Sequence, residues 1–430
     1  MHSLAGVEYG PNWQSQLGRN GAGDVGDIVQ WSGTKFFSDL VHDGLQYINE
    51  QDHNETVIMV FEGPTSSAKG TSFYNVEQYR LHDYPPTPLL YMTTLRPLRY
   101  ASMNGGRHPA YLMGEAPKNL VNHWIQAIPN FVVPTFVDTI PPEAKVNAYL
   151  PMESVINEHI NDPDVHYLIA GKDAIGLMTN KTTQILPNTK DVRPCVAKVT
   201  HAMGSLGIFV IYNDDDEEKF FEFVRKTGNP TYVVTDFVDI RRNLACHFFM
   251  HPSGDIIWFG SSENLILPDG KWSSDSTIVV DEQKELQELM APFVIDVAKF
   301  CYSKGFWGFA GIDVLFDEDN GYLVDLNPRV TGTMPALMVS KHMKETYGFT
   351  IGKFRKSSKY HFPGPSEELF QKVDRFNKEN FGQSRIVVFS MYEETEKTTM
   401  VNMAVYSNSH QLSESILDTF STKGIQAASR

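Results

Sequence analysis

The stretch Gly305–Thr333, GFWGFAGIDVLFDEDNGYLVDLNPRVTGT, reads as two strands joined by an acidic turn. GIDVLF (311–316) and YLVDLN (322–327) are apolar and suited to strands, and DEDNG between them is dense in turn formers. With a loop at Glu318, Asp319 and Asn320, Asp313 stands directly opposite Asp325, and Asn327 shares their face because strand side chains alternate. Opposed carboxylates repel unless a cation or a proton intervenes. Two carboxylates and a carboxamide form an all-oxygen set of the kind Mg2+ or Mn2+ prefers, with substrate phosphates completing the shell. Arg329 falls on the same side if the strand persists past Pro328, and its guanidinium can hold phosphate or carboxylate oxygens in a fork. The same spacings also suit an ordinary exposed hairpin with an acidic turn.

Upstream, EQKELQELMAPFVIDVAKFCYSKG (282–305) has apolar residues at helical spacing and Gly305 as its stop. LACHFFM (244–250) and DIIWFG (255–260) read as antiparallel strands before it. Further back, PCVAKV (194–199), LGIFVIY (206–212) and TYVVTDFV (231–238) are strands around a helix that starts near Asp214-Asp215-Asp216-Glu217-Glu218. Acid in a first turn offsets the helix dipole, so this run reads as a solvated cap and not a metal site.

Nearer the N-terminus, VIMVF (57–61), PLLYMTTL (88–95) and NFVVPTFVD (130–138) look like strands and ESVINEHI (153–160) like a helix, an α/β pattern reaching to about residue 165. The loop GPTSSAKG (63–70) is read as a strand-to-helix turn, with an anion cradle as the alternative. The first forty residues carry no clear period. After Met334 the chain turns helical, then polar (KFRKSSKYHFPGPSEE, 353–368), and ends in IVVFSMY and TTMVNMAVY as paired strands and SESILDTF as a helix.

Composition narrows the functions. The formal net charge of -15 argues against a surface built for nucleic acid, although a locally basic cleft for a small anion is compatible with it. Nowhere do about 18 apolar residues follow one another, as a membrane span needs. The start, MHSLAGVEYGPNWQ, lacks a basic region followed by an apolar one, so no secretory leader is expected. Cys195, Cys246 and Cys301 lack metal-ligand spacing and read as buried thiols of a reducing compartment, which together make a cytoplasmic location the expectation.

The run G-I-D, acidic turn, L-V-D-L-N-P-R-V-T-G resembles the metal-binding signature of the ATP-grasp superfamily, an Asp followed by Glu-x-Asn-Pro-Arg. The resemblance implies Asp313, Asp325 and Asn327 as metal ligands, with Asp325 in place of the usual Glu. VAKVTHAMGSLGIFVI (196–211) is similar to the strand and Gly-containing loop that hold nucleotide phosphates. That likeness implies Lys198 at the α- and β-phosphates and His201, Gly204, Ser205, Leu206 and Gly207 in the closing loop. YLIAGKDAIGLM (167–178) resembles the segment with the first nucleotide lysine, placed at Lys172, Lys181 being the weaker candidate. YVVTDFVDI (232–240) resembles the adenine hinge, Thr235, Asp236, Phe237 and Val238, where the Asp236 carbonyl and the Val238 N–H would read the base. Thr235 replaces the usual Glu. The ribose position falls near Arg242 or Asn243, neither of them acidic.

The four landmarks occur in family order between residues 166 and 340. Together they imply an N-terminal α/β pre-ATP-grasp domain (1–165), a two-lobed ATP-grasp region (166–240 with the lysines and lid, 241–340 with the metal site) and a small C-terminal accessory α+β domain (341–430). The N-terminal unit faintly resembles the one that precedes the ATP-grasp region in some peptide ligases. The implied activity is ATP- and Mg2+-dependent ligation, in which a carboxylate becomes an acyl phosphate and is joined to an amine, with Lys198 and Arg329 as catalytic cations. Thr331 and Gly332 would border the acceptor. His247 and His251 are assigned no role. The alternatives are an ATP-grasp carboxylase or phosphotransferase, or a non-catalytic ATP-binding regulator. The expected partners are small carboxylates and amines, with neither nucleic acid nor membrane, and a homodimer is compatible with the sequence.

Overall fold

The computed structural model describes residues 25–48, 56–63, 78–82, 90–202, 206–266, 272–356 and 360–423. Three sheets organise them. In the N-terminal unit, Phe136–Val137, Ala110–Tyr111, Val57–Val60 and Lys145–Ala148 form an all-parallel sheet in that order. Between residues 166 and 240 lies a three-stranded antiparallel sheet, Ile208–Ile211, Cys195–Val199 and Tyr232–Asp236, with the helix Asp214–Lys226 packed on one face. As the acidic run indicates, that helix opens on a cap: the Asn213 side chain accepts from the Asp216 N–H.

The third sheet has eleven strands. Gly321–Asn327, Gly308–Phe316, Arg242–Met250, Ile256–Ile266 and Trp272–Val279 follow one another antiparallel, and Ile351–Arg355 continues them, bringing the C-terminal strands into the same sheet. One face of this sheet is covered by the helix Gln283–Ser303. Met290, Val294, Val297, Ala298 and Cys301 of the helix share one buried core with Leu244, Cys246, Phe248, Ala310, Ile312 and Leu326 of the strands, each large side chain contributing about 2 kcal/mol. The helix ends in a Schellman motif: Phe306 N–H reaches Cys301 C=O at 3.0 Å, Gly305 N–H reaches Tyr302 C=O at 2.9 Å, and Gly305 supplies the left-handed φ of 82°.

Three local expectations change. The described part of PLLYMTTL, residues 90–95, is helical, since Tyr91–Leu95 runs into the helix Arg96–Ala101 and buries Met92, Leu95, Arg96 and Arg99, residues three and four apart. ESVINEHI forms no helix. The Asn157 side chain instead bonds the carbonyls of Pro141 and Ala144, and the backbone of Glu158 and Ile160 pairs with Val146. Part of the polar connection is sheet, because Arg355 is buried yet satisfied by Asp275 at 3.0 Å, Glu414 at 3.0 Å and Asp418 at 2.9 Å. The loop 64–70 and the residues before 25 lie outside the described residues.

Neutral histidines hold the units together. His123 Nε2 accepts from the Val388 N–H at 2.9 Å, and His166 Nε2 bonds the Pro328 carbonyl at 2.8 Å. Burial pushes both, and His247, down to about 3 from 6.5. The unfolded chain therefore binds protons that the folded chain refuses, so this contribution is intact above pH 6.5 and is lost as pH falls toward 3. We expect urea unfolding to show stability dropping by about 4 kcal/mol per pH unit from these three groups midway through that window. A stability unchanged between pH 7 and pH 4.5 contradicts the assignment.

Candidate functional site

Three strands of the large sheet place their cleft-facing side chains in a grid. Ala245, Asp313 and Asp325 lie in one row, and His247, Gly311 and Asn327 in the next. Asp313 is opposite Asp325 as the hairpin reading requires, but the route differs. The turn has four residues, Asp317–Asn320, with the Asp317 carboxylate accepting from the Asp319 and Asn320 N–H groups. A bulge at Val324 then restores the pairing: Val314 faces Leu323, whereas Asp313 faces Asp325. Gly311 is small for a reason, since a Cβ there would lie 2.6 Å from Thr331 Cγ2 and 2.9 Å from His247 Nδ1.

Asn327 Nδ2 lies 3.3 Å from Asp325 and 3.5 Å from Asp313, and its Oδ1 accepts from Arg329 at 2.5 Å. Lys172, at the start of a short 3-10 turn, ion-pairs with Asp325 at 3.2 Å. Asn264, which the sequence reading missed, donates to Asp313 at 3.3 Å. Burial, and then the neighbouring Asp325 charge, push the Asp313 carboxyl up to about 7. Lys172 offsets part of this charge, and the two carboxylates with the Asn327 carboxamide are hard oxygen donors of the kind a divalent ion takes when it has few protein ligands. Among the described residues no set of three or more His, Cys, Asp or Glu gathers that could hold a metal.

Lys198 enters the cleft from the small sheet. Val196 and Lys198 face the cleft, while Cys195, Ala197 and Val199 pack into the core of that lobe, an alternation set by the strand. Only 8% of Lys198 is exposed, and burial, then Lys172, pull its ammonium down to about 8. A buried cation of this kind is stabilised by an anion.

The cleft between the sheets has a volume of about 350 Å3. Its apolar wall is built from Val196, Ile208, Val210, Tyr212, Leu315 and Val324, and Asp236, Phe237 and Val238 line it as well. The Thr235 hydroxyl instead turns to the Asp236 carbonyl at 3.4 Å. Asn243 lines the cleft with a buried Oδ1 that has no hydrogen-bond partner among the described residues, while Arg242 is drawn to Glu263 at 3.3 Å. His201 stacks on Tyr167, with rings 3.8 Å apart, bonds the Tyr167 carbonyl at 2.9 Å and lines a smaller cavity with Lys172 and Asp325. Gly207 has a left-handed φ of 79° and closes the hairpin through its carbonyl to the Val199 N–H; Leu206 precedes it, half-buried. Gly204 and Ser205 lie outside the described residues. Lys181 pairs with Asp296 at 2.6 Å. His247 bonds Thr331 at 2.5 Å, and His251 bonds Ser253 in a turn.

Residues 178–327 match the model of a family described as L-aspartate--L-methionine ligase, ATP grasp. A segment of 143 residues is 22% identical to the carbamoyl phosphate synthase large chain of Vibrio cholerae, covering 33% of this chain and 13% of that one, so the chain spans about an eighth of that relative's length. Among solved structures, N5-carboxyaminoimidazole synthetase from Staphylococcus aureus complexed with ADP is similar over 90% of this chain and 98% of its own, with 12% identity and a TM-score of 0.49. The biotin carboxylase domain of Hydrogenobacter thermophilus 2-oxoglutarate carboxylase, in complex with MgADP, is similar over 90% and 88%, with 10% identity and a TM-score of 0.45. No helix among the described residues is long and apolar enough to cross a membrane.

Proposed function

We propose, from the premise that residues 178–327 are an ATP-grasp domain of the ligase type, that the whole chain is an ADP-forming ligase. It would join a small carboxylate to an amine, each supplied by an amino acid or short peptide. One observation carries the reading: Lys198, the hinge residues Asp236, Phe237 and Val238, Asp313, Asp325, Asn327 and Arg329 all line one cleft although they come from separate parts of the chain.

The chemistry follows from charge. A carboxylate oxygen attacks the γ-phosphorus of ATP, the bond to the β-phosphate oxygen breaks, and ADP leaves as an acyl phosphate forms. The amine then attacks the acyl carbon, inorganic phosphate departs, and the amine loses a proton. Lys172, Lys198 and Arg329 offset the negative charge around the transferring group, and positioning supplies most of the acceleration. Asp313, Asp325 and Asn327 would hold a magnesium ion, which supplies charge neutralisation at the phosphates. Asn243 would accept from a ribose hydroxyl through its Oδ1, a reading supported by that atom's having no hydrogen-bond partner among the described residues.

The test is ADP release from pairs of amino acids, with aspartate and methionine tried first and product mass recorded. ADP and phosphate that appear only with both acid and amine present support the ligase. Release with the acid alone and a stable phosphorylated product would move the reading to a phosphotransferase. A chain that binds ATP and turns over no mixture would be a regulator.

A further inference from the structure

Each acid of the proposed metal set is held from outside by one of its oxygens. Lys172 takes Oδ1 of Asp325 at 3.2 Å, and the Asn264 carboxamide donates to Oδ1 of Asp313 at 3.3 Å. The other oxygens turn inward: Oδ2 of Asp325 and Oδ2 of Asp313 lie 3.3 and 3.5 Å from the same nitrogen, Asn327 Nδ2. Asn264 thus does for one carboxylate what a charged lysine does for the other. It reaches there from two strands away. Asp313 faces Ala245, and Ala245 faces Ser262, which precedes Asn264 by two residues on the same side of its strand. Asparagine is disfavoured within strands, so sheet formation alone does not call for it here.

A carboxamide can present either end to a carboxylate, and turned around it would set oxygen against oxygen. What stands behind Asn264 fixes its direction. Thr333, the residue before the helix Met334–Tyr347, donates its O–H to Ser276 Oγ at 3.2 Å. The Ser276 hydroxyl then spends its own proton on Asn264 Oδ1 at 2.7 Å, from a position directly across the strand pair. Three donors therefore run in one direction, from Thr333 through Ser276 and Asn264 to Asp313. Ser276 and Thr333 are each only 2% exposed, so water competes little for either hydroxyl. Asn264 and Thr333 line the cleft with Gly332 and Lys356 where it continues past the metal set, and Ser276 stands behind them.

We infer that Asn264 is a positioning residue for the metal set, its carboxamide oriented by Ser276 and Thr333 so that Asp313 keeps one oxygen turned toward Asp325. This rests on Asp313 and Asp325 as the metal pair and adds the residues that prepare one of them. Loss of a group that orients a metal-binding carboxylate typically lowers metal affinity about 10–100-fold.

Calorimetry of the full chain with ADP, in magnesium and in EDTA, gives the factor by which the metal strengthens nucleotide binding. Asn264→Ala lowers that factor about tenfold and leaves the metal-free affinity as in the wild type. Ser276→Ala lowers it similarly, because the carboxamide is then free to turn, whereas Thr333→Ser keeps the hydroxyl and retains the factor. In the double variant Asn264→Ala/Ser276→Ala the second substitution adds nothing, since both act through one hydrogen-bonded chain. Thermal unfolding without nucleotide establishes that each variant is folded. If Ser276→Ala unfolds, Asn264→Leu, which keeps the side-chain volume without the N–H, carries the test beside Asn264→Ala. A factor unchanged in folded Asn264→Ala, or losses that add in the double variant, overturns the inference. A wild type whose ADP affinity ignores magnesium removes the metal pair and this inference with it, whereas failure of the ligase reading shows separately, as the absence of ADP release with every acid and amine.

Discussion

Replacing Asp325 by asparagine abolishes ATP turnover, by about a thousandfold or more, and leaves the chain folded. The magnitude follows from the proposed role of Asp325 as one of two carboxylates that would hold a cation at the transferring phosphate. The fold survives because two effects oppose each other. Asp313 loses the repulsion that helps push it up to about 7, whereas Lys172 loses its partner at 3.2 Å. ADP release gives the rate, and nucleotide affinity measured with and without magnesium gives an independent reading. The wild type should bind nucleotide more tightly with the metal, and the variant should lose that difference. A fully active variant would remove Asp325 from the metal set.

Lys198→Met should weaken ATP binding roughly 100-fold, since deleting one member of a buried charge pair typically costs about 2–5 kcal/mol. Methionine keeps the apolar stem among Val196, Ile208 and Val210, so packing is little changed. Without nucleotide the variant should unfold at the same temperature as the wild type or above it, because burial and Lys172 already disfavour the ammonium. Calorimetry and thermal unfolding together decide this. Unchanged ATP affinity would place the phosphates elsewhere, and a large drop in unfolding temperature would make Lys198 a structural group.

What was legible in the sequence was legible because it was local. The hairpin, the lysine strand and the hinge are each encoded within a single short stretch of the sequence, and strand alternation places their side chains without knowledge of the remainder. The long helix and its glycine stop were readable for the same reason. Tyr91, Arg96 and Arg99 were hidden because Thr93, Thr94 and the flanking apolar residues imitate a strand, and only tertiary packing made the segment helical. Lys356 sat in a run of polar residues that looked like a linker. Arg355 makes that run a strand only through acids 59–80 positions away, a pairing that no window of sequence contains. Asn264 is likewise 49 positions from Asp313.

The extra residue at Val324 changes how the tip of this hairpin tolerates altered length. Without it, a four-residue turn would pair Asp313 with Val324 and send Asp325 to the helix-covered side, into hydrocarbon. Turn and bulge therefore act as one counting device, in which a residue gained at the tip is absorbed further down the strand. A redesign that removes the bulge while keeping the four-residue turn would take Asp325 away from Asp313.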